Sequence, residues 1–256
     1  MPTEVDLSPE RRDPLDVYRI KWVLGTGVEA FITGRDGGLS VGPYESLNLA
    51  THVGDDPALV AQNRELVAQA IGVDVASLVT VTQVHAKRVT TAERATNSTR
   101  ADAILASSPG LAIAVMAADC LAVLVVDEAS PQFAVVHAGW RGLVARVLPA
   151  TVARFADPRT LRVFIGPSIS PDAYQVGPDV AHHFTAVPGA LRRDHGDRSR
   201  LDLRHVALSQ LLDAGILDEH IALSRQMTDG GERFFSDRAQ RPCGRFVLVA
   251  MRGPVA

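Results

Sequence analysis

The apolar residues of this chain fall into two kinds of pattern. Some stretches are apolar without interruption. Leu111 to Asp127 and Phe133 to Val136 hold almost nothing polar apart from Asp119 and Cys120. Unbroken β-branched runs of this length read as strands buried on both faces. "LRVFIGPSISP" reads as a strand entering a Pro-rich turn, and "HIALSRQMT" and "RFVLVAM" as further strands. Val17 to Ile32 is strand-like, turning at Gly25 and Gly27, and "SLVTVTQVHAKRVTTAE" alternates as a strand pair or a bent strand would. Other stretches carry helical spacing. After Asp56 and Pro57, which suit a cap and a first turn, Leu59, Ala61, Leu66, Val67 and Ala70 supply apolar positions, and Gly72 ends the element. Gly142 to Phe155 is helical with a break or end near Pro149, and "GPDVAHHF" and "LDLRHVALSQLLDAG" are helices.

These elements mix without strict βαβ alternation. The expected fold class is α+β: one domain, an alpha/beta sandwich with mixed sheets. Residues 1–16 are polar and Pro-containing and read as a flexible N-terminal lead. Residues 17–256 form the domain. Thr33 to Pro57 is rich in Gly, Ser and Asn, and a loop of that length in a compact domain is usually functional.

Composition narrows the function. The chain has 256 residues and a net charge of −3, so it lacks the basic field that nucleic acid requires. The longest apolar run is broken by Asp119 and Cys120, and the N-terminus lacks a secretory apolar core, so neither a membrane span nor export is expected. A cytoplasmic monomer is the expectation. Two cysteines, Cys120 and Cys243, are too few for a disulfide framework.

Three reactive residues stand on or beside strand-like segments: His85 in "TQVHAKRV", Cys120 in "AADCLAVL" and His137 in "VVHAGWRG". Two imidazoles and a thiolate make a plausible zinc set, and three protein ligands leave a fourth position for water or substrate. The same residues also suit other readings. A Cys in an apolar strand commonly packs, and a His at a strand end commonly makes a structural hydrogen bond. Cys120 as nucleophile with His137 as base would make a metal-free hydrolase. A His2Cys set suits a single copper. A multicopper oxidase is poorly supplied by eight histidines with no His-x-His pair. Spacing leaves these alternatives open. In the turn after His137, Gly139 and Gly142 bracket Trp140 and Arg141, which suit either an anion-gripping rim or a structural turn with a Trp anchor. Asp55 and Asp56 suit the helix start, and His52 suits either a site or a loop hydrogen bond. His182 and His183 are expected on different faces of a helix.

"TGRDGGLSVGPYESLNLATHVGDDP", "TQVH", "ADCLAVL", "VVHAGWRG", "IGPSISPDAYQVGPDV" and "RFFSDR" together resemble the YfiH family, in the family's order, over residues 17–256. That family has been labelled polyphenol oxidase or laccase-domain, purine nucleoside phosphorylase and peptidoglycan editing factor. The resemblance implies a zinc site, with copper as the alternative, on His85, Cys120 and His137. It implies phosphorolysis of adenosine, guanosine, inosine and methylthioadenosine, and deamination of adenosine. Its partners would be a small nucleoside and phosphate. Cys120 and His137 are then the expected catalytic residues, with Asp119 as acid or base by adjacency. Arg35, Asn48, His52 and Arg141 are the expected substrate or phosphate contacts, Arg35 and Arg141 as the cationic cradle. The alternatives are a cysteine or zinc hydrolase editing a peptidoglycan precursor, and a copper oxidoreductase. The chain departs from the family pattern at Leu121-Ala122, where a Pro is usual, and at Met227, Asp237, Ala239 and Cys243, which replace Cys, Tyr, Arg and Thr. These departures put substrate preference in doubt.

Overall fold

In the computed structural model, which describes residues 2–253, the chain opens with strands β1 (Thr3–Val5), β2 (Pro9–Arg12), β3 (Leu15–Arg19) and β4 (Val28–Thr33). Helix α1 (Pro57–Ile71) follows, then β5 (Leu78–Val79) and β6 (Val89–Thr91). The apolar middle supplies β7 (Ala103–Ala106), β8 (Ala112–Ala117), β9 (Leu121–Asp127) and β10 (Phe133–Ala138). Short helices α2 (Trp140–Val144) and α3 (Val147–Val152) lead to β11 (Leu161–Ile165). The rest comprises β12 (Gln175–Val176), α4 (Pro178–Ala181), β13 (Leu191–Arg193), β14 (Ser199–Leu201), α5 (Leu203–Asp213), β15 (Ile221–Ser224) and β16 (Phe246–Arg252).

A seven-stranded sheet runs β1-β15-β11-β9-β10-β7-β6, and a six-stranded sheet runs β2-β3-β4-β16-β8-β5. The two stack face to face, and residue parity shows how. On β9, Ala122, Leu124 and Val126 point between the sheets, while Leu121, Val123 and Val125 point to a core shared with α2, α3 and α5. On β16, Phe246, Leu248 and Ala250 point between the sheets, while Val247 and Val249 meet α1. Helix, sheet, sheet and helix thus form four layers. Strands covered on both faces have no reason to alternate, and their sequences read as continuous apolar runs. Each fully buried Val, Leu, Ile or Phe contributes roughly 1.5–3 kcal/mol by leaving water. The expected α+β sandwich with mixed sheets is the fold observed. Among the described residues no helix is long and apolar enough to cross a membrane.

The caps of α1 are as expected. The Asp56 side chain accepts from the Ala58 N–H at 2.8 Å, Pro57 occupies the first turn, and Gly72 closes the helix at φ 76°.

Three expectations need correction. Residues 1–16 are not a flexible lead: β1 pairs in parallel with β15, β2 pairs with β3, and Leu7 and Leu15 are buried. (Residue 1 of that segment, and residues 254–256 of the expected domain, lie outside the described residues.) The expected helix Gly142–Phe155 is two helices, broken where Arg146 adopts φ 63°, and Pro149 sits in the first turn of the second, where its missing N–H costs nothing. The expected strand pair around "TQVHAKRV" is reduced to β5 and β6, with a loop between them that carries His85.

Candidate metal centre

The hairpin register builds the first half of the site. β9 and β10 are antiparallel, with His137 opposite Ala122 and Ala138 opposite Leu121. The residue before β9 therefore lies beside the residue after β10, which sets Cys120 against Gly139. A Cβ on Gly139 would stand 2.6 Å from the Cys120 sulfur and 3.2 Å from the His85 ring. Only a glycine admits the sulfur this closely. His137 shares the parity of Phe133 and Val135, so it points toward the second sheet.

His85 arrives from a loop. Its φ of 55° lies in the left-handed region, which His tolerates better than most residues. Gln83 fixes that loop to β8: its amide donates to the Met116 carbonyl at 2.8 Å and accepts the Met116 N–H at 2.7 Å. One ligand atom from each of His85, Cys120 and His137 lies within 4.8 Å of the others, and the two imidazoles meet edge-on with centroids 4.7 Å apart.

Asp102 completes the support and has no counterpart in the residues singled out from sequence. It is fully buried. Its carboxylate accepts the backbone N–H groups of Val84 (3.2 Å), His85 (2.9 Å) and Ala86 (2.8 Å), and it lies 3.0 Å from His137 Nδ1. One carboxylate thus holds the backbone of one candidate ligand and the ring of another. With Nδ1 committed to Asp102, Nε2 of His137 is the nitrogen left for a metal, the arrangement typical of metal-bound His. The available signal was a charged residue heading the apolar run "ADAILA".

The electrostatics follow. Burial opposes ionisation of Asp102, but the His137 bond and the Ala86 and His85 N–H groups outweigh it and keep its carboxyl below the usual range. Burial likewise opposes a charged His137, but Asp102 and Cys120 raise it to about 9. Burial would raise the Cys120 thiol, and the two histidines instead bring it down to about 6. The arrangement favours thiolate, the form that binds metal or acts as a nucleophile.

The three residues form one wall of a cavity of about 250 Å³, whose other walls include His52, Gln83, Met116, Asp237 and Arg245. His52, expected at the substrate, is therefore present. Burial lowers its pKa first, and Arg245, Arg64, His85 and His137 lower it further.

The other expected site residues do not line this cavity. Arg35 donates Nε and Nη2 to the Glu45 carbonyl and Nη1 to that of Gly231, and stacks on Phe235, so it braces loops rather than cradling an anion. Asn48 is fully buried, its amide bonded to Ala50, Asp55 and the Arg245 N–H. Asp119 turns away at φ 85°: its carboxylate accepts the hydroxyls of Thr228 (2.6 Å) and Ser236 (2.7 Å) and the Arg238 N–H (2.7 Å). That bonding pins the C-terminal segment and leaves adjacency to Cys120 as its sole link to the chemistry. Arg141 is exposed and lies over the Trp140 ring at 4.1 Å, outside the cavity walls. His182 and His183, expected on different faces of a helix, both sit in a 3-10 turn, and their ring centroids are 3.8 Å apart.

Of the four C-terminal departures, Asp237 is the one that reaches the cavity. It pairs with Arg245 at 3.1 Å and with the exposed Arg241. Cys243 is buried under Arg245 and Met227 lies against Arg204, while the Ala239 N–H caps Ser236 Oγ.

Residues 29–253 match the family described as multi-copper polyphenol oxidoreductase laccase. A Shigella flexneri protein named purine nucleoside phosphorylase YfiH is 41% identical over 231 residues, covering 88% of this chain and 94% of its own. The crystal structure of Neisseria meningitidis protein NMB0706 superposes with a TM-score of 0.86 at 35% identity, covering 93% of this chain and 99% of that one. The Bacillus licheniformis hypothetical protein YfiH superposes with a TM-score of 0.87 at 28% identity, covering 94% and 98%.

Proposed function

This chain belongs to the YfiH family, the family described as multi-copper polyphenol oxidoreductase laccase, and on that premise we propose that it is a zinc-dependent purine nucleoside phosphorylase acting on adenosine, guanosine, inosine and methylthioadenosine. The observation that carries the reading is the His85, Cys120 and His137 cluster, with ligand atoms within 4.8 Å, at the wall of a cavity of about 250 Å³.

The donor set fits the metal. One thiolate and two imidazoles are borderline-soft ligands suited to zinc, and His85, Cys120 and His137 would hold it as the three protein ligands usual in catalytic zinc sites. Bound there, zinc would supply a Lewis acid. The chain's own residues supply the rest. Asp102 selects the His137 tautomer, Gln83 and the left-handed His85 set the second imidazole, and His52 and Arg245 bound the space where substrate sits. In phosphorolysis an oxygen of hydrogen phosphate bonds to the anomeric carbon while the bond from that carbon to the base nitrogen breaks, and the phosphate's proton ends on the departing base. Deamination of adenosine, in which water replaces the amine, is proposed for the same site.

A single metal is preferred over a multicopper cluster. Among the described residues one group of three ligands is gathered, and a multicopper site needs several such groups. A second reading rests on the placement of Cys120 beside His137, with ligand atoms within 4.8 Å: a thiol drawn toward thiolate by a neighbouring imidazole also suits a metal-free cysteine hydrolase, such as one editing a peptidoglycan precursor.

Chelation separates the two. Turnover of inosine should be lost on metal removal and return when zinc is restored. Activity that survives complete metal removal would support the hydrolase instead.

A further inference from the structure

Phosphorolysis needs a place for the attacking anion; of the two arginines expected to provide it, Arg35 is tied to the Glu45 and Gly231 carbonyls, and Arg141, over Trp140, lines neither the metal cavity nor the space beside it. Arg245 is engaged too: Nη1 faces the carbonyls of Cys243 and Gly244, and Nη2 pairs with Asp237. A fourth arginine is differently placed. Arg64, on α1, uses Nε and Nη2 to grip the Leu49 carbonyl at 3.0 and 2.9 Å. Among the described residues its Nη1 has no protein acceptor.

Arg64 lines a second cavity of about 390 Å³, together with Asn97 and the hydroxyl-bearing Thr51, Thr80 and Thr82. This space shares His52, Gln83 and Met116 with the metal cavity, so the two adjoin. No carboxylate stands among its walls. The donor count is also informative. Thr80 donates to Asn97 Oδ1 at 2.9 Å and Thr82 to the Asn97 carbonyl at 2.8 Å. Those bonds fix Asn97 and leave its Nδ2 with no protein acceptor among the described residues. Arg64 Nη1, Asn97 Nδ2 and the Thr51 hydroxyl are therefore free donors around one space with a net positive wall. Three donors with no carboxylate among the walls of this cavity suit a phosphate-like oxyanion; Glu65 stands in an adjoining space that shares Thr51, Arg64, Thr80 and Asn97.

We infer that this second cavity is the binding subsite for the inorganic phosphate co-substrate, with Arg64 and Asn97 as its principal donors. The inference rests on the phosphorylase reading. It orients the nucleoside, with the ribose toward His52 and the shared wall, so that a phosphate oxygen approaches the anomeric carbon from the Arg64 side. The oxygen–carbon bond forms there as the glycosidic bond breaks, and the proton carried by hydrogen phosphate leaves with the base.

The test is steady-state kinetics of the zinc-loaded full chain, with inosine and inorganic phosphate varied independently. Arg64→Met and Asn97→Asp should each raise the KM for phosphate by about tenfold or more while the KM for inosine stays within about twofold. Zinc content should not change. Asn97→Asp is the safer variant, because it keeps the acceptor for Thr80 and replaces a donor with a repelling charge at an exposed position. It decides the matter if Arg64→Met, which weakens the tie to Leu49, fails to fold. An unchanged phosphate KM in Asn97→Asp, or an equal rise in both KM values, would overturn the inference and leave the phosphorylase reading standing. Base release from inosine by the wild type that is independent of phosphate would overturn both.

Discussion

His137 Nδ1 lies 3.0 Å from Asp102 Oδ1, and the same carboxylate holds the His85 N–H at 2.9 Å. Two candidate metal ligands from distant segments are thus set by one buried group. Supporting hydrogen bonds of this kind orient the ligand rings and tune their basicity, and losing one typically costs 10–100-fold in metal affinity. Asp102→Asn should therefore weaken zinc binding by roughly that factor, measured by competition with a chromophoric chelator. It should also lower the melting temperature, since an amide N–H then faces backbone donors. Unchanged zinc affinity would show that His137 is oriented without Asp102.

Gly139 offers a steric test that leaves all three ligand residues unsubstituted. Its φ of −79° and ψ of 177° suit any residue, so the backbone tolerates a side chain. The new Cβ would nevertheless meet the Cys120 sulfur at 2.6 Å. Gly139→Ala should fold, lose only a few degrees of thermal stability, and retain much less zinc than the wild type by elemental analysis. Full zinc occupancy would mean that the sulfur does not need to sit where it is.

Asp119 is expected to stabilise rather than catalyse. Its carboxylate accepts from Thr228, Ser236 and the Arg238 N–H, and stranding such buried donors costs about 1–3 kcal/mol. Asp119→Asn should show a lower unfolding midpoint in urea, with kcat per bound zinc within a few-fold of wild type. Loss of turnover at unchanged stability would restore the acid–base role that adjacency to Cys120 suggested.

Arg141 gives the contrast to Arg64. Its guanidinium lies over Trp140 and outside the metal cavity. Arg141→Lys should leave the phosphate KM unchanged while weakening the stacking contact, worth about 0.5–1 kcal/mol at an exposed site. A tenfold rise in the phosphate KM would return Arg141 to the cradle.

Much of this was legible in the sequence where the signal was local. The doubly covered strands β8, β9 and β10 read as unbroken apolar runs, and Asp56, Pro57 and Gly72 marked both ends of α1. The three ligand candidates stood out through their motifs. What was not legible depended on distant partners. β1 looked like a loose lead because β15, the strand that completes its hydrogen bonds, lies more than two hundred residues away in sequence. The segment around His85 alternated like a strand, but the Asp102 carboxylate captures its backbone N–H groups in place of a strand partner. Arg35 resembled a cradle because a motif shows that a guanidinium is present, but not that the carbonyls of Glu45 and Gly231 already occupy it. Asp102 itself has no spacing relation to the ligands it supports. A pairing 35 residues apart, decided by sheet register, carries no local signature.

A metal held by His85, Cys120 and His137 is proposed to support phosphorolysis of purine nucleosides. The most direct test is product analysis of inosine incubated with the zinc-loaded protein, with and without phosphate. Hypoxanthine and ribose 1-phosphate should form in equal amounts, only when phosphate is present, and the reaction should stop when Cys120→Ala removes the metal. Release of free ribose at the same rate without phosphate, or full turnover by the metal-free Cys120→Ala protein, would contradict the account.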